Sequence, residues 1–128
     1  MSIAGIGTDL VEIARLAAAL ERYGERFGDR ILGPEERAEW RRCGRSPRFL
    51  AKRFAAKEAA AKALGTGFRN GVRFADIEVV HDALGKPGLR FSAAAARRAS
   101  ELRVVRSELS ISDERAYALA FVVLIREG

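Results

Sequence analysis

Cysteine and histidine are almost absent from this sequence, which has one of each, Cys43 and His81, in 128 residues. A single cysteine excludes a disulfide framework within the chain and any cysteine-cluster metal site. The same scarcity favours a reducing compartment. The N-terminus has no basic segment followed by an apolar stretch, because Asp9 interrupts it, so nothing marks the chain for export. We therefore expect a cytoplasmic protein.

Long apolar runs and linkers are also missing. No stretch reaches the roughly 18 apolar residues of a membrane helix, and no segment rich in proline, glycine or serine divides the chain. Hydrophobic residues make up 48% and charged residues 31% of the sequence, which is too apolar for intrinsic disorder. These proportions and the length predict one folded domain over residues 1–128, with no separate substrate domain.

Hydrophobic periodicity predicts a mixture of helices and strands, with a long central helix and a closing antiparallel hairpin. Four helices are predicted, at Glu12–Tyr23, around Glu35–Arg42, at Pro47–Leu64 and from an N-cap at Ser92 to about Arg103. Five strands are predicted, at Ile3–Val11, Ile77–His81, Leu89–Phe91 and, as a closing hairpin, Val104–Ser112 and Tyr117–Ile125. The last strand is apolar at every position, so we expect both its faces to be covered, one of them by another subunit.

Positive charge is in excess, with 23 lysines and arginines against 17 acidic residues and a net charge of +6. The run from Arg41 to Lys57 holds seven basic residues and no acid. Such a run is either a solvated surface or a site for phosphates, an acidic protein or another polyanion. No RNA-binding motif interleaves aromatic residues with these arginines, so a nucleic-acid interpretation depends on charge alone.

Asp9, near the end of the first predicted strand, is the first carboxylate with a candidate role. With Glu12 three residues later it matches a capping box, so it could serve only to cap the next helix. The strand alternation also places Gly5 and Gly7 on the face of Asp9, and missing side chains there leave room for a ligand or a second chain. The spacing lacks the third glycine of a dinucleotide fingerprint, which excludes that kind of site.

Glu58 lies in the middle of the predicted long helix, whose apolar residues run nearly all around it. A rotation of about 100° per residue places small and apolar side chains beside this carboxylate. We therefore expect Glu58 to be largely buried, and a buried carboxylate needs a cation or a metal as partner. The alternative is an ordinary pair with Lys62, four residues on, which would stabilise an exposed helix by about 0.2 to 0.5 kcal/mol.

Together, Asp9 and Glu58 offer two hard oxygen ligands without a histidine or thiolate companion. This partial shell suits Mg²⁺, whose remaining ligands are water and substrate phosphates, and not zinc. The glycines at 65, 67 and 71 follow a helix C-terminus, whereas a phosphate-binding P-loop precedes an N-terminus. The pattern excludes a Walker-type ATPase, and a phosphate here would depend on Lys62 and arginines for its charge.

Three segments carry a more specific pattern: GIGTDLVEI at 5–13, RFLAKRFAAKEAAAKALGTG at 48–67 and LGKP at 84–87. Together they resemble the bacterial holo-[acyl-carrier-protein] synthase family. The resemblance covers nearly the whole chain, and the first two motifs at this separation are far more specific than either alone. It implies a small α+β 4′-phosphopantetheinyl transferase fold, in which an antiparallel sheet packs against a long central helix. Such chains assemble as homotrimers with active sites between neighbouring subunits.

The resemblance also implies an activity. Enzymes of this type use Mg²⁺ to transfer the 4′-phosphopantetheine group from coenzyme A to a serine of apo acyl carrier protein, releasing adenosine 3′,5′-bisphosphate, in fatty acid biosynthesis. The expected partners are coenzyme A and an acidic carrier protein, with no nucleic acid and no membrane. The alternative, carried only by the basic run, is a small RNA-associated domain without catalysis.

The resemblance assigns roles to residues that match the family motifs. Asp9 and Glu58 would bind Mg²⁺, and with Lys62, which would contact the pyrophosphate, they are the predicted catalytic residues. The predicted coenzyme A ligands are Lys62, Gly65, Arg53 at the 3′-phosphate, and Gly85, Lys86 and Pro87 on the adenine side. Arg15 and Arg22 would meet the acidic recognition helix of the carrier. Many relatives carry Ser-His where this chain has Ser112–Asp113. Because the histidine is replaced by Asp113, no histidine role is expected here, and Asp113 matches a turn residue.

Overall fold

The computed structural model describes all 128 residues and contains five strands, five helices and a 3-10 turn at Phe74–Asp76. The helices are α1 (Ile13–Tyr23), α2 (Glu25–Ile31), α3 (Pro34–Arg42), α4 (Pro47–Ala63) and α5 (Ala93–Glu101). The strands are β1 (Ser2–Glu12), β2 (Ile77–His81), β3 (Pro87–Phe91), β4 (Val104–Asp113) and β5 (Tyr117–Arg126). No helix combines the length and the apolar character needed to cross a bilayer.

The strands form two antiparallel sheets, which confirms the predicted α+β class. The main sheet has the order β1-β5-β4, and β2 and β3 form a separate hairpin. In the main sheet Asp9 pairs with Ala120, and Ala120 pairs with Ile111 on β4. The hairpin packs beside β4 through β3. Therefore β1 and the hairpin lie at opposite edges of the main sheet.

The predicted elements are present within two residues of their expected ends, but α2 was not predicted. Gly24, with φ +74°, separates it from α1, and its seven residues include Gly28. That glycine lowers helical propensity. It is required by packing, because a Cβ on Gly28 would lie 2.3 Å from the Trp40 ring.

Helix α4 approaches β1 closely because β1 has glycines where the two elements meet. A Cβ on Gly5 would lie 1.9 Å from the Ala63 carbonyl oxygen, and a Cβ on Gly7 would lie 1.9 Å from that of Ala59. The prediction that these glycines leave room for a ligand or second chain is therefore wrong, since the α4 backbone fills that space. The close contact is what brings α4 next to Asp9.

The outer face of the main sheet, on the side away from α4, exposes apolar side chains. On β5 the residues facing α4 are buried, while Leu119 and Phe121 on the outer face are 42% and 45% exposed. The exposed Ile6 and Leu10 of β1 lie on the same face, because they pair with Val123 and Leu119. Within this chain, β5 is covered only on the face toward α4. The expectation of cover on both faces is therefore met for one face.

The strand alternation predicted for β1 fails at its start. A register shift between Ile3 and Gly5 leaves Ile3 exposed and lets Ala4 pack against the core, which reverses their predicted faces. A bulge of this kind adds one residue to a strand and so inverts the alternation on one side of it. The predicted alternation from Gly5 onward is unaffected.

We predict that Gly7→Ala destabilises the protein by about 3 kcal/mol or more, because the new methyl group would overlap the α4 backbone. Chemical denaturation would measure the loss. The matched control is Gly88→Ala, where the nearest atom to a new Cβ is 3.8 Å away on the Val80 side chain, an ordinary van der Waals contact. Equal stability of the two variants would contradict the close α4–β1 contact.

Candidate active site

Asp9 lies on the face of β1 that meets α4, with its side chain 16% exposed. The N-cap residue of α1 is Glu12, and no side chain caps that helix. The capping interpretation of Asp9 is therefore wrong, because β1 continues three residues beyond it. Instead, the Lys62 ammonium donates to Asp9 Oδ1 at 3.2 Å and to the Thr8 carbonyl at 2.9 Å.

Glu58, one turn before Lys62 on α4, is half-buried beside Asp9. Burial raises the pKa of the Glu58 carboxyl above its usual value, the negative charge of Asp9 raises it further, and Lys62 partly offsets both. The two carboxylates are thus close enough to repel each other. The alternative of an ordinary Glu58–Lys62 pair is wrong, since the Lys62 ammonium is hydrogen-bonded to β1.

The donor set formed by Asp9 and Glu58 fits a hard divalent cation. Mg²⁺ is commonly held by one or two carboxylates and keeps several waters or substrate phosphates as its other ligands. A cation between the two carboxylates would remove the repulsion that raises the pKa of Glu58. No group of three or more histidine, cysteine, aspartate and glutamate side chains in the chain could hold a metal ion, so none of these residue types adds a third ligand to Asp9 and Glu58. A metal here would therefore leave coordination positions for a phosphate-bearing substrate.

Comparison with known proteins gives the family. The sequence model of the 4′-phosphopantetheinyl transferase superfamily matches residues 5–122. The holo-[acyl-carrier-protein] synthase of Halorhodospira halophila is 61% identical over 96% of this chain and 98% of its own length. The synthase of Yersinia pestis is 54% identical over 97% and 98%. This chain belongs to the holo-[acyl-carrier-protein] synthase family.

Solved structures of holo-[acyl-carrier-protein] synthases have the same fold. The crystal structure of the Neisseria meningitidis enzyme superposes with a TM-score of 0.90 at 47% identity, covering 97% of this chain and 99% of that one. The Helicobacter pylori enzyme, solved in complex with coenzyme A, gives 0.82 at 30% identity over 94% and 99%. The predicted small α+β transferase fold is therefore confirmed.

Arg53, predicted from the synthase family as a ligand of the 3′-phosphate, lies in the interior. Its side chain is 5% exposed, and its guanidinium lies within 3.5 Å of Glu36, 3.2 Å of Glu39 and over the Phe49 ring. These contacts give Arg53 a structural role between α3 and α4. Its contact with the 3′-phosphate stays a prediction.

The predicted coenzyme A ligands are not all brought together within one chain. Gly65, with φ +79°, follows the end of α4 one turn after Lys62, and its amide donates to the Lys62 carbonyl. The turn holding Gly85, Lys86 and Pro87 joins β2 to β3, and the Lys86 ammonium contacts Glu108 on β4 at 3.0 Å. This turn therefore lies at the sheet edge away from Asp9.

The basic run from Arg41 to Lys57 is largely paired within the chain. Apart from Arg42, each of its basic residues has an acidic partner: Arg41 with Asp29, Arg45 with Glu25, Arg48 and Lys52 with Asp113, and Arg53 and Lys57 with Glu36. Asp113 thus anchors the β4–β5 turn to α4. These pairs remove the observation on which the RNA-associated alternative depended. Arg15 and Arg22 are exposed on α1, as a carrier-binding surface requires.

The cluster around Glu36 was not predicted from the sequence. Glu36 is 2% exposed and accepts hydrogen bonds from the Lys57 ammonium and the Gly33 and Val79 amides. One signal was available. Lys57 precedes Glu58 on a helix predicted to be apolar nearly all around, so its charge also needed a buried partner. Nothing in the sequence identifies Glu36 as that partner, because it lies 21 residues away.

We predict that Glu58→Gln makes the metal-free protein more stable at about pH 8 by a few degrees in Tm. Since the pKa of Glu58 is raised on folding, the folded state keeps a proton that the unfolded chain releases as pH rises above the usual value of 4.5. Stability falls through that window and stays lower above it. The glutamine, always neutral, avoids this penalty.

Thermal unfolding in EDTA would test this, with the exposed Glu21→Gln as control. The gain from Glu58→Gln should be largely lost at about pH 4, where the carboxyl is mostly protonated in both states. A Tm for Glu58→Gln below that of the native protein at both pH values would contradict the repulsion.

Proposed function

We propose that this protein transfers the 4′-phosphopantetheine group from coenzyme A to a serine of apo acyl carrier protein. The observation that carries the proposal is the convergence of Asp9, Glu58 and Lys62 where α4 crosses β1. These side chains match the family motifs residue by residue. Family membership and the coenzyme A complex of the Helicobacter pylori relative support the same substrate.

Asp9 and Glu58 would hold Mg²⁺ through their carboxylates. When bound, the metal ion would neutralise the charge of the coenzyme A diphosphate. Lys62 would donate to the same diphosphate, because its side chain is exposed and its ammonium already lies at Asp9. Attack of the carrier serine oxygen forms one oxygen–phosphorus bond, and the bond to adenosine 3′,5′-bisphosphate breaks. The role of Lys62 is to stabilise the charge that gathers on this leaving group.

The carrier protein would approach through α1. Arg15 and Arg22 are two helical turns apart, so they lie on the same side of α1 and both are exposed. Positive charge on this surface suits an acidic recognition helix, and complementary charge mainly raises the rate of association and fixes the register. Helix α1 begins directly after β1, so its first turn follows the end of the strand that carries Asp9.

A complete site would require a second copy of the chain. The turn at Gly85–Pro87, expected on the adenine side of coenzyme A, lies at the opposite edge of the main sheet from Asp9. The apolar outer face of that sheet supplies a surface for association. These two features support a homotrimer in which each active site lies between neighbouring subunits.

We predict that apo acyl carrier protein incubated with coenzyme A, Mg²⁺ and this protein gains one phosphopantetheine mass. Asp9→Asn and Glu58→Gln should lower kcat/KM about 100-fold or more, because each removes charge that holds the metal and diphosphate. Mass spectrometry of the carrier measures the transfer, and Glu21→Gln is the control variant. An unchanged carrier mass with the native protein would refute the activity.

We predict that the native protein has three times the 14.0 kDa chain mass in light scattering. Leu119→Glu, which places a charge on the apolar outer face, should shift the mass to that of a monomer and abolish transfer. Tyr23→Glu, an exposed apolar position on α1, should leave the mass unchanged. A monomeric Leu119→Glu variant with full activity would refute a site between subunits.

A further inference from the structure

The contact between α4 and β1 is made by very small residues. Gly5 and Gly7 of β1 meet the backbone of Ala59 and Ala63, so the two elements lie as close as their main chains allow. Packed helices are normally fixed in rotation and axial position by side-chain ridges that fit into grooves. Glycine and alanine form shallow ridges. The contact therefore sets the distance between α4 and β1 but restrains rotation and sliding of the helix only weakly.

Lys57 lies on another side of α4 and makes directional hydrogen bonds, which the glycine–alanine contact with β1 does not provide. It is 0% exposed, and its ammonium donates to the Ile31 carbonyl at 2.7 Å, Glu36 Oε1 at 2.6 Å and the Phe74 carbonyl at 3.1 Å. An ammonium has three N–H donors, so every donor is used. The acceptors belong to α2, α3 and the 3-10 turn, three separate parts of the fold.

Glu36 is itself held in place by the main chain. Its Oε1 accepts from the Gly33 amide at 3.0 Å, and its Oε2 accepts from the Val79 amide at 3.2 Å. The carboxylate is thus tied to the start of α3 and to β2, as well as to Lys57. The Lys57 ammonium therefore has a fixed position relative to four elements outside α4.

Glu58 follows Lys57 directly, and Lys62 comes five residues after Lys57. At about 100° per residue, Lys57 is directed toward α2 and α3 while Glu58 and Lys62 lie toward β1. Rotation of α4 would break the hydrogen bonds of a buried charge, which is strongly unfavourable. The same rotation would carry Glu58 and Lys62 away from Asp9.

We propose that Lys57 is a positioning residue, whose buried ammonium fixes the rotation and axial position of α4 so that Glu58 and Lys62 face Asp9. Its effect on transfer rests on the proposed function, whereas its effect on the position of α4 does not. Buried ion pairs often add little net stability, which fits a pair that selects one helix position.

The test compares Lys57→Met/Glu36→Gln with the native protein. Methionine and glutamine approximate the shapes of the native side chains and remove the two charges together. Arg53, the other cation at Glu36, keeps Glu39 as its acidic partner. The control is Phe91→Leu, a destabilising truncation on β3, which packs against β2, β4 and α5. The double variant should lower kcat for transfer about 10- to 100-fold per folded molecule, since small displacements of reacting groups are costly. Phe91→Leu should change kcat less than twofold.

A second measurement reports the position of α4 without using activity. In protein labelled with ¹³C at alanine methyl groups, the resonances of Ala59 and Ala63 should move in the double variant and stay at their native positions in Phe91→Leu. Native positions for both resonances in the double variant would overturn the proposal, as would a kcat equal to that of Phe91→Leu. If the native protein transfers nothing, the proposed function fails, and the methyl resonances still decide the role of Lys57.

Should the double variant not fold, Lys57→Met alone gives the answer. The Glu36 carboxylate then keeps the Arg53 guanidinium and the Gly33 and Val79 amides as partners, so kcat should fall about 10- to 100-fold, with shifts at Ala59 and Ala63. Unshifted methyl resonances together with a native kcat would overturn the proposal in this variant too.

Discussion

The close approach of α4 to β1 is the constraint on which the candidate site depends. Asp9 and Lys62 are 53 residues apart in sequence, and they meet only because Gly5 and Gly7 let the backbone of α4 lie directly on the strand. Any side chain at these glycines would push α4 away by the thickness of a methyl group. The glycines that precede Asp9 thus serve the site indirectly, by setting the distance between two main chains.

Placing two carboxylates at this contact opposes folding, and the surrounding residues only partly relieve the cost. Burial and the charge of Asp9 both disfavour ionised Glu58, and Lys62 offsets part of this. A group kept in an unfavourable environment of this kind is typical of a site that binds an ion or reacts. The other basic residues of α3 and α4 do not help, because most are paired elsewhere. Arg15 and Arg22 on α1 remain exposed, so positive charge is available beside the site.

The sequence predicts the fold well where one chain segment carries its own periodicity. The strands and long helices follow from local patterns, and the family motifs identify Asp9, Glu58 and Lys62 before any geometry is known. Predictions fail where a distant residue decides the outcome. The burial of Arg53 between Glu36 and Glu39 was not predicted, and α2 contains a glycine that only the Trp40 ring explains.

The apolar pattern of β5 also shows how a local signal can be correct while its explanation lies outside one chain. Alternate residues face α4 and fill the core, so the outer residues such as Leu119 and Phe121 are apolar for some other reason. A chain of 128 residues buries a smaller fraction of its surface than a larger domain does. Association through the outer face would bury more apolar surface without lengthening the chain. The same association would bring a second chain to the sheet that carries Asp9, so stability and completion of the site would depend on one interface.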